Sequence, residues 1–179
     1  MNNLLKGKKG IIFGALDENS IAWKVALKAK EQGAEFVLSN APVALRLGKI
    51  SELAELCDTT VIAADATNVE DLENLFDQAI EKYGKLDFIL HSIGMSPNVR
   101  KNKAYTELNY DWFLKTLDIS ALSFHKVLQV AYQKDALNEW SSVVALTYIA
   151  AQRTFPGYND MAEAKATLES IARSFGYHY

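Results

Sequence analysis

The chain has 179 residues, 49% of them hydrophobic, with 19 Lys and Arg against 22 Asp and Glu and a formal net charge of −3. That balance excludes a nucleic-acid binder and an acidic disordered tail, while the single cysteine, Cys57, excludes an internal disulfide framework and a cysteine-only metal site. His91, His125 and His178 have no ligand-like spacing and no apolar stretch approaches the ~18 residues of a membrane span, so one soluble cytoplasmic domain over residues 1–179 is expected.

Residues 9 to 13 (KGIIF) read as a first strand ending at Gly14, and Ile21, Val25, Ala26 and Ala29 then recur at helical spacing up to Gly33. A second strand is predicted over 34–39, a weaker helix over 43–56 and a third strand over 59–64, which runs into Asp65. Val69 to Lys82 places Leu72, Leu75, Phe76, Ala79 and Ile80 on one helical face, and 86–91 reads as a fourth strand. A polar stretch over 94–109 leads to a helix over about 110–134. A fifth strand follows over 141–147 and a last helix over about 158–175.

Strands that are continuously apolar and alternate with helices indicate a parallel sheet covered on both faces, hence a doubly wound, Rossmann-like α/β fold. Right-handed crossovers and the order 3-2-1-4-5 put a switch point between strands 1 and 4, and ligands bind outside the carboxyl ends of strands at such a point. The site is therefore expected near Gly14, Asp65, residues 91–96 and residues 147–158.

The turn Gly14 to Ala22 places a glycine at a strand end and Ser20 at a helix start. It is either an ordinary connection or a site where free amides receive a pyrophosphate. Asp65 suits an adenine amino group or a helix cap. Ser39-Asn40-Ala41, at the end of strand 2, holds neither the acid that selects NAD nor the base that selects NADP. Tyr158 and Lys165 are seven apart, so on one helix they share a face about 10 Å apart along the axis. They are either unrelated surface residues or a pair in which the ammonium eases the phenol toward ionisation and improves it as a donor to an oxygen gaining charge.

Gly14-x5-Ser20-Ile21-Ala22, Asp65, His91-Ser92-Ile93-Gly94, Asp118-Ile119-Ser120 and Tyr148-x9-Tyr158-x6-Lys165 occur in that order. Together they resemble the bacterial NADH-dependent enoyl-acyl-carrier-protein reductases, a divergent branch of the short-chain dehydrogenase/reductase superfamily, across essentially the whole chain. The resemblance implies that Gly14, Ser20 and Ile21 hold the pyrophosphate, Asp65 and Ala66 flank the adenine, and Ile93 and Gly94 line the nicotinamide-side ribose. It further implies that Lys165 binds the ribose hydroxyls and that Tyr158 donates to the thioester carbonyl of a trans-2-enoyl chain. Tyr148 would line the acyl pocket and assist proton delivery, and Ser96 would touch the substrate.

The implied cofactor is NADH, with NADPH left open because Ala41 stands where many members have glutamine. The implied partner is acyl carrier protein bearing an enoyl chain, the implied assembly a homotetramer, and the implied process fatty-acid elongation. Arg100, Lys101 and Lys103 form a basic cluster read as a solvated rim or as a steering surface for an acidic carrier. Family members continue past this point with a sixth strand, a substrate-covering segment and a seventh strand. The 179 residues are thus expected to be part of a longer reductase, with strand 5 exposed and no activity on their own. Two other readings are a non-catalytic dinucleotide-binding module and an ordinary carbonyl/alcohol short-chain reductase; the three-residue group Tyr148, Tyr158 and Lys165 speaks against the first and the x6 spacing against the second.

Overall fold

The computed structural model describes residues 3–179. Strands β1 (Lys9–Phe13), β2 (Glu35–Asn40), β3 (Thr60–Ala63), β4 (Leu86–His91) and β5 (Leu137–Ala145) form one sheet in the order β3-β2-β1-β4-β5, the order expected from the sequence. β1 pairs in parallel with β2, Phe13 beside Ser39, and with β4, Phe13 beside His91; β2 pairs in parallel with β3, Asn40 beside Ala63. The helices are α1 (Ile21–Glu31), α2 (Pro42–Leu47), α3 (Ile50–Cys57), α4 (Val69–Tyr83), α5 (Pro97–Arg100), α6 (Tyr110–Leu117), α7 (Ser123–Gln133) and α8 (Asp160–His178).

By its internal contacts the chain divides into two compact units. The first holds the chain up to Ser92 together with Val130–Val144, which includes the sheet and α1 to α4. Ile11, Ile12 and Phe13 are all fully buried, and three consecutive strand residues point to alternate faces, so both faces of β1 are covered there. α4 buries Leu72, Leu75, Phe76 and Ala79, begins where the Asn68 side chain accepts from the Asp71 N–H (3.1 Å), and stops at Gly84. The coverage expected for the sheet fails at β3, where Thr60 and Ala63 are exposed, whereas the exposure of Val144 and Trp140 on the edge strand β5 agrees with the expectation of an exposed strand 5.

The second unit, Ile93–Gln129 with Ala145–Tyr179, is helical. In it α8 packs on α6, on a π-helical turn (Asp118–Leu122) and on a 3₁₀ turn (Ile149–Ala151).

Four element boundaries differ from the sequence reading. The last helix starts at Asp160 and not at Tyr158, because Asn159 has a left-handed φ of +46°, so Tyr158 does not share a helix with Lys165. The single helix expected over 43–56 is two helices, because Gly48 is extended and the Lys49 N–H turns to the Leu16 carbonyl (2.7 Å). The helix expected over 110–134 is interrupted by the π turn, whose Ser120 hydroxyl accepts from the Met95 N–H (3.0 Å) and donates to the Met95 carbonyl (3.2 Å). β5 starts four residues before the expected Ser141, where the Leu86 N–H reaches the Ala136 carbonyl (2.8 Å) and Asn138 donates to the Lys85 carbonyl (3.3 Å). Among the described residues no helix is long and apolar enough to cross a membrane, and no cluster of His, Cys, Asp and Glu could hold a metal ion.

Candidate active site

In the first unit the chain leaves β1 through Gly14, whose φ of +89° is a left-handed conformation. A Cβ built there would lie 1.9 Å from the Ser92 carbonyl oxygen, and the Gly14 N–H donates to the Ser39 carbonyl (3.0 Å). Only glycine lets the ends of β1, β2 and β4 approach this closely. The loop then reaches α1 at Ser20. Ser20 occupies the N-cap position, but its side chain does not cap the helix. Its hydroxyl accepts from the Leu16 N–H (3.2 Å) and donates to the Asp17 carbonyl (2.7 Å), which draws it back into the loop. The first-turn amides of α1 therefore have no side-chain cap, and that turn holds no acidic residue. With Ile21 exposed, the helix start can accept an anion.

Asp65, just beyond β3, accepts at one carboxylate oxygen from the Thr67 N–H (2.9 Å) and hydroxyl (2.7 Å). It is not the cap of α4; Asn68 is. Ala66 beside it is buried. At the end of β2, Asn40 donates to the Ala15 carbonyl (2.9 Å) and accepts from the Ala41 N–H (2.9 Å), so its side chain serves the turn, and Arg46 lies exposed on α2.

In the second unit Tyr148 immediately precedes the 3₁₀ turn, Tyr158 lies in the loop two residues before α8, and Lys165 is on the second turn of α8. The Tyr148 and Tyr158 rings stand 4.5 Å apart between centroids, and Phe155 meets Tyr148 edge-on at 5.3 Å. Lys165 is 6% exposed, and its Nζ donates to the carbonyls of Leu146 (2.8 Å) and Ile93 (3.1 Å). Two of its three protons are thus spent on the backbone that follows β5 and β4. Gly94 is exposed directly over it, since a Cβ at Gly94 would stand 3.6 Å from Nζ, an ordinary contact. Burial lowers the Lys165 ammonium from 10.5 to about 8, which leaves it mostly charged at neutral pH. Burial, and then the Tyr148 phenol, raise Tyr158 above its usual value. The expected easing of the phenol by the ammonium is therefore corrected: desolvation wins, and Tyr158 is a neutral hydroxyl donor at neutral pH.

Ser96 also differs from expectation. It is 3% exposed, and its hydroxyl donates to Asp160 Oδ1 (2.6 Å) while accepting from the Val99 N–H (3.0 Å) as the cap of α5. A side chain spent on both sides inside the protein is not free to touch a substrate. Sequence reasoning missed the group that holds it: Asp160, fully buried, also accepts from Asn98 (2.9 Å) and Thr116 (2.8 Å). An acid in the first turn of a helix was visible in the sequence; that it would be buried among neutral donors was not. A cleft of about 530 Å³ in this unit is walled by Tyr105, Gln152, Phe155, Asn159 and Glu163 among others. Its walls include none of Tyr148, Tyr158 and Lys165, so the acyl chain is not assigned to it.

Comparison with known proteins bears on these groups. Residues 14–179 match the family described as "Enoyl-(Acyl carrier protein) reductase". The chain is 32% identical over 179 residues to "Enoyl-[acyl-carrier-protein] reductase [NADH] 2" of Rhizobium meliloti (strain 1021), covering 100% of this chain and 66% of that protein. It is 31% identical over 176 residues to "Enoyl-[acyl-carrier-protein] reductase [NADH] FabI" of Bacillus subtilis (strain 168), covering 97% and 67%. Among solved structures, the FabI–NADH complex from Alistipes finegoldii superposes with a TM-score of 0.97 at 68% identity, over 99% of this chain and 63% of that one. The Bacillus cereus enoyl-acyl carrier protein reductase with NADP+ and indole naphthyridinone superposes with a TM-score of 0.87 at 30% identity, over 98% and 70%. The chain spans 62% to 66% of the length of the two Rhizobium meliloti relatives it matches.

Proposed function

The chain belongs to the enoyl-acyl-carrier-protein reductase family, and from that premise we propose that the protein carrying it reduces the trans-2 double bond of an enoyl chain on acyl carrier protein in fatty-acid elongation. The cofactor in this reading is NADH, which when bound supplies the hydride that adds to the β-carbon. The residues fit such a dinucleotide on two observations: the Gly14 cradle with the uncapped start of α1 suits a pyrophosphate, and Gly94 over the Lys165 ammonium leaves room for a ribose. In the first unit, Gly14, Ser20 and Ile21 would bind the pyrophosphate through backbone amides, with Asp65 and Ala66 against the adenine. The end of β2 offers no cation for a 2′-phosphate, which favours NADH over NADPH.

In the second unit, Lys165 would donate its remaining proton to ribose hydroxyls, and the Ile93 carbonyl it holds fixes the backbone next to Gly94. Tyr158 donates its hydroxyl to the thioester carbonyl, where negative charge grows as the enolate forms. A donor aimed at developing charge stabilises the transition state more than the ground state. Tyr148, stacked on Tyr158, orients that ring and helps to bring the proton that completes the product. The observation that carries the reading is a neutral, half-buried Tyr158 in the loop that leads into α8, followed on that helix by a buried, charged Lys165. Acyl carrier protein is the partner in this reading, met at a rim that includes the exposed Arg100, Lys101 and Lys103. A homotetramer is the proposed assembly, supported by exposed Tyr110, Leu114, Leu122 and Tyr132 on α6, the π turn and α7, and the cytoplasm is the proposed location. The test is to titrate the protein with NADH and with NADPH at fixed crotonyl thioester. Saturable NADH oxidation yielding butyryl thioester, with NADPH the poorer donor, is expected, and no reduction with either cofactor would overturn the reading.

A further inference from the structure

Asp160 is a fully buried carboxylate that forms no ion pair among the described residues. It sits at the first position of α8, where the helix dipole favours a negative charge, and three neutral donors complete its shell. Those donors come from two other parts of the unit. Ser96 and Asn98 belong to the segment after β4, and Thr116 to α6. Asn98 is fixed in turn, donating to the Asn109 carbonyl (3.0 Å) and accepting from the Asn109 N–H (3.0 Å). Asn159, between Tyr158 and Asp160, has a left-handed φ of +46° and donates to the Lys103 carbonyl (2.7 Å).

The helix is therefore tied to the segment after β4 at two points. Asp160 holds Ser96 and Asn98; five residues along α8, Lys165 holds Ile93. Gly94 and Met95 are suspended between these ties, and Tyr158 stands two residues before the first of them. Met95 has a third tether in Ser120 of the π turn.

We propose that Asp160 is a positioning residue for Tyr158: by clamping the start of α8 to the Ser96–Asn98 segment and α6, it sets where the phenol stands relative to the backbone that Lys165 holds. The inference rests on the function proposed above for Tyr158, and its test has one arm that does not depend on that function. Asp160→Asn keeps the volume but turns one acceptor into a donor facing donors. In the protein carrying this chain it should lower turnover of a crotonyl thioester by roughly 10²-fold, as a misplaced catalytic group does, with the NADH Kd and the KM for NADH unchanged within about twofold. Thr116→Val removes a single donor with little change of shape and should give a smaller loss in the same parameter.

The independent arm replaces Tyr158 with 3-fluorotyrosine and reads its ¹⁹F resonance in the free protein. One narrow line is expected with Asp160 present, and a shifted or broadened line with Asp160→Asn or Thr116→Val. If Asp160→Asn does not fold, Thr116→Val and Ser96→Ala supply both readouts. A wild-type protein that fails to reduce the thioester would sink the proposed function and leave the ¹⁹F arm to decide the role of Asp160. An unchanged Tyr158 line in the folded variants, or a turnover loss matched by an equal loss of NADH affinity, would overturn the positioning role.

Discussion

The first unit buries Ile11, Ile12, Phe13, Phe36, Val37, Leu38, Leu72, Leu75 and Phe76, and among its described residues the buried polar side chains are Ser39 and His91. The second also has an apolar interior, built on Ala121, Phe124, Val127, Ala164 and Leu168, yet it encloses Ser96, Asn98, Thr116, Ser120, Ser123, Asn159, Asp160 and Lys165. Burying a polar group costs stability unless its partners come with it, and a charge costs more. The sheet unit encloses few such groups among its described residues, although the Ser39 hydroxyl is buried without a hydrogen bond, and it offers a ligand chiefly backbone amides. The helical unit accepts that cost, and the result is a lysine and a phenol held in place with their protonation set by burial.

The comparison is broken most sharply by Tyr158→Phe. If the second unit carries the chemistry, losing one hydroxyl should lower turnover by roughly 10²- to 10³-fold while leaving NADH affinity nearly unchanged, as steady-state kinetics and a cofactor titration would read. Unchanged turnover would leave the buried polar groups without a catalytic purpose. In the first unit the sensitive point is backbone. Gly14→Ala drives a methyl into the Ser92 carbonyl and should destabilise by about 2–4 kcal/mol in chemical denaturation. Gly84→Ala, at a φ of +73° with nothing within 4 Å, should cost only about 1 kcal/mol of strain.

Lys165 gives a pH dependence with a definite sign. Its pKa in the folded chain is about 8, against 10.5 for a free lysine. Below pH 8 both states hold the proton, and the folded chain bears the full cost of a buried ammonium. Between pH 8 and 10.5 the unfolded chain holds more protons, so cofactor-free stability should rise with pH across that window, by up to about 3 kcal/mol. Lys165→Met should flatten the rise, and a slope that persists in that variant would assign it elsewhere. The smallest expected effect separates a true cap from an apparent one. Asn68→Ala should cost about 1 kcal/mol, because Asn68 accepts from the Asp71 amide, while Ser20→Ala should change stability by less than about 0.5 kcal/mol.

What the sequence made legible follows the same division. The apolar runs 9–13 and 86–91 and the 3.6-residue period of α4 identified the sheet unit closely, since its elements are fixed by burial of apolar side chains. The Tyr158–Lys165 spacing reads as one helix face, but only Lys165 is on α8: Asn159, with a left-handed φ of +46°, breaks the helix before Asp160 and leaves Tyr158 in the loop ahead of it. Ser96 misled, because a serine at a strand end looks the same whether it faces a ligand or a buried carboxylate. Asp160 and the π turn at Ser120 were invisible for a related reason: their partners, Ser96, Asn98, Thr116 and Met95, lie 25 to 64 residues away in sequence. The phenol's raised pKa came from desolvation by surroundings that no local spacing reveals.

The central claim is that the second unit holds a conjugated thioester so that charge grows on its carbonyl oxygen while a hydride reaches the β-carbon. The most direct measurement follows the label from NADH deuterated at the transferring position into a crotonyl thioester in ordinary water. The account predicts deuterium at carbon 3 of butyryl thioester, a solvent proton at carbon 2, and loss of the labelled product in Tyr158→Phe. Deuterium at carbon 1 of an aldehyde or alcohol product would contradict it and identify a carbonyl reductase instead.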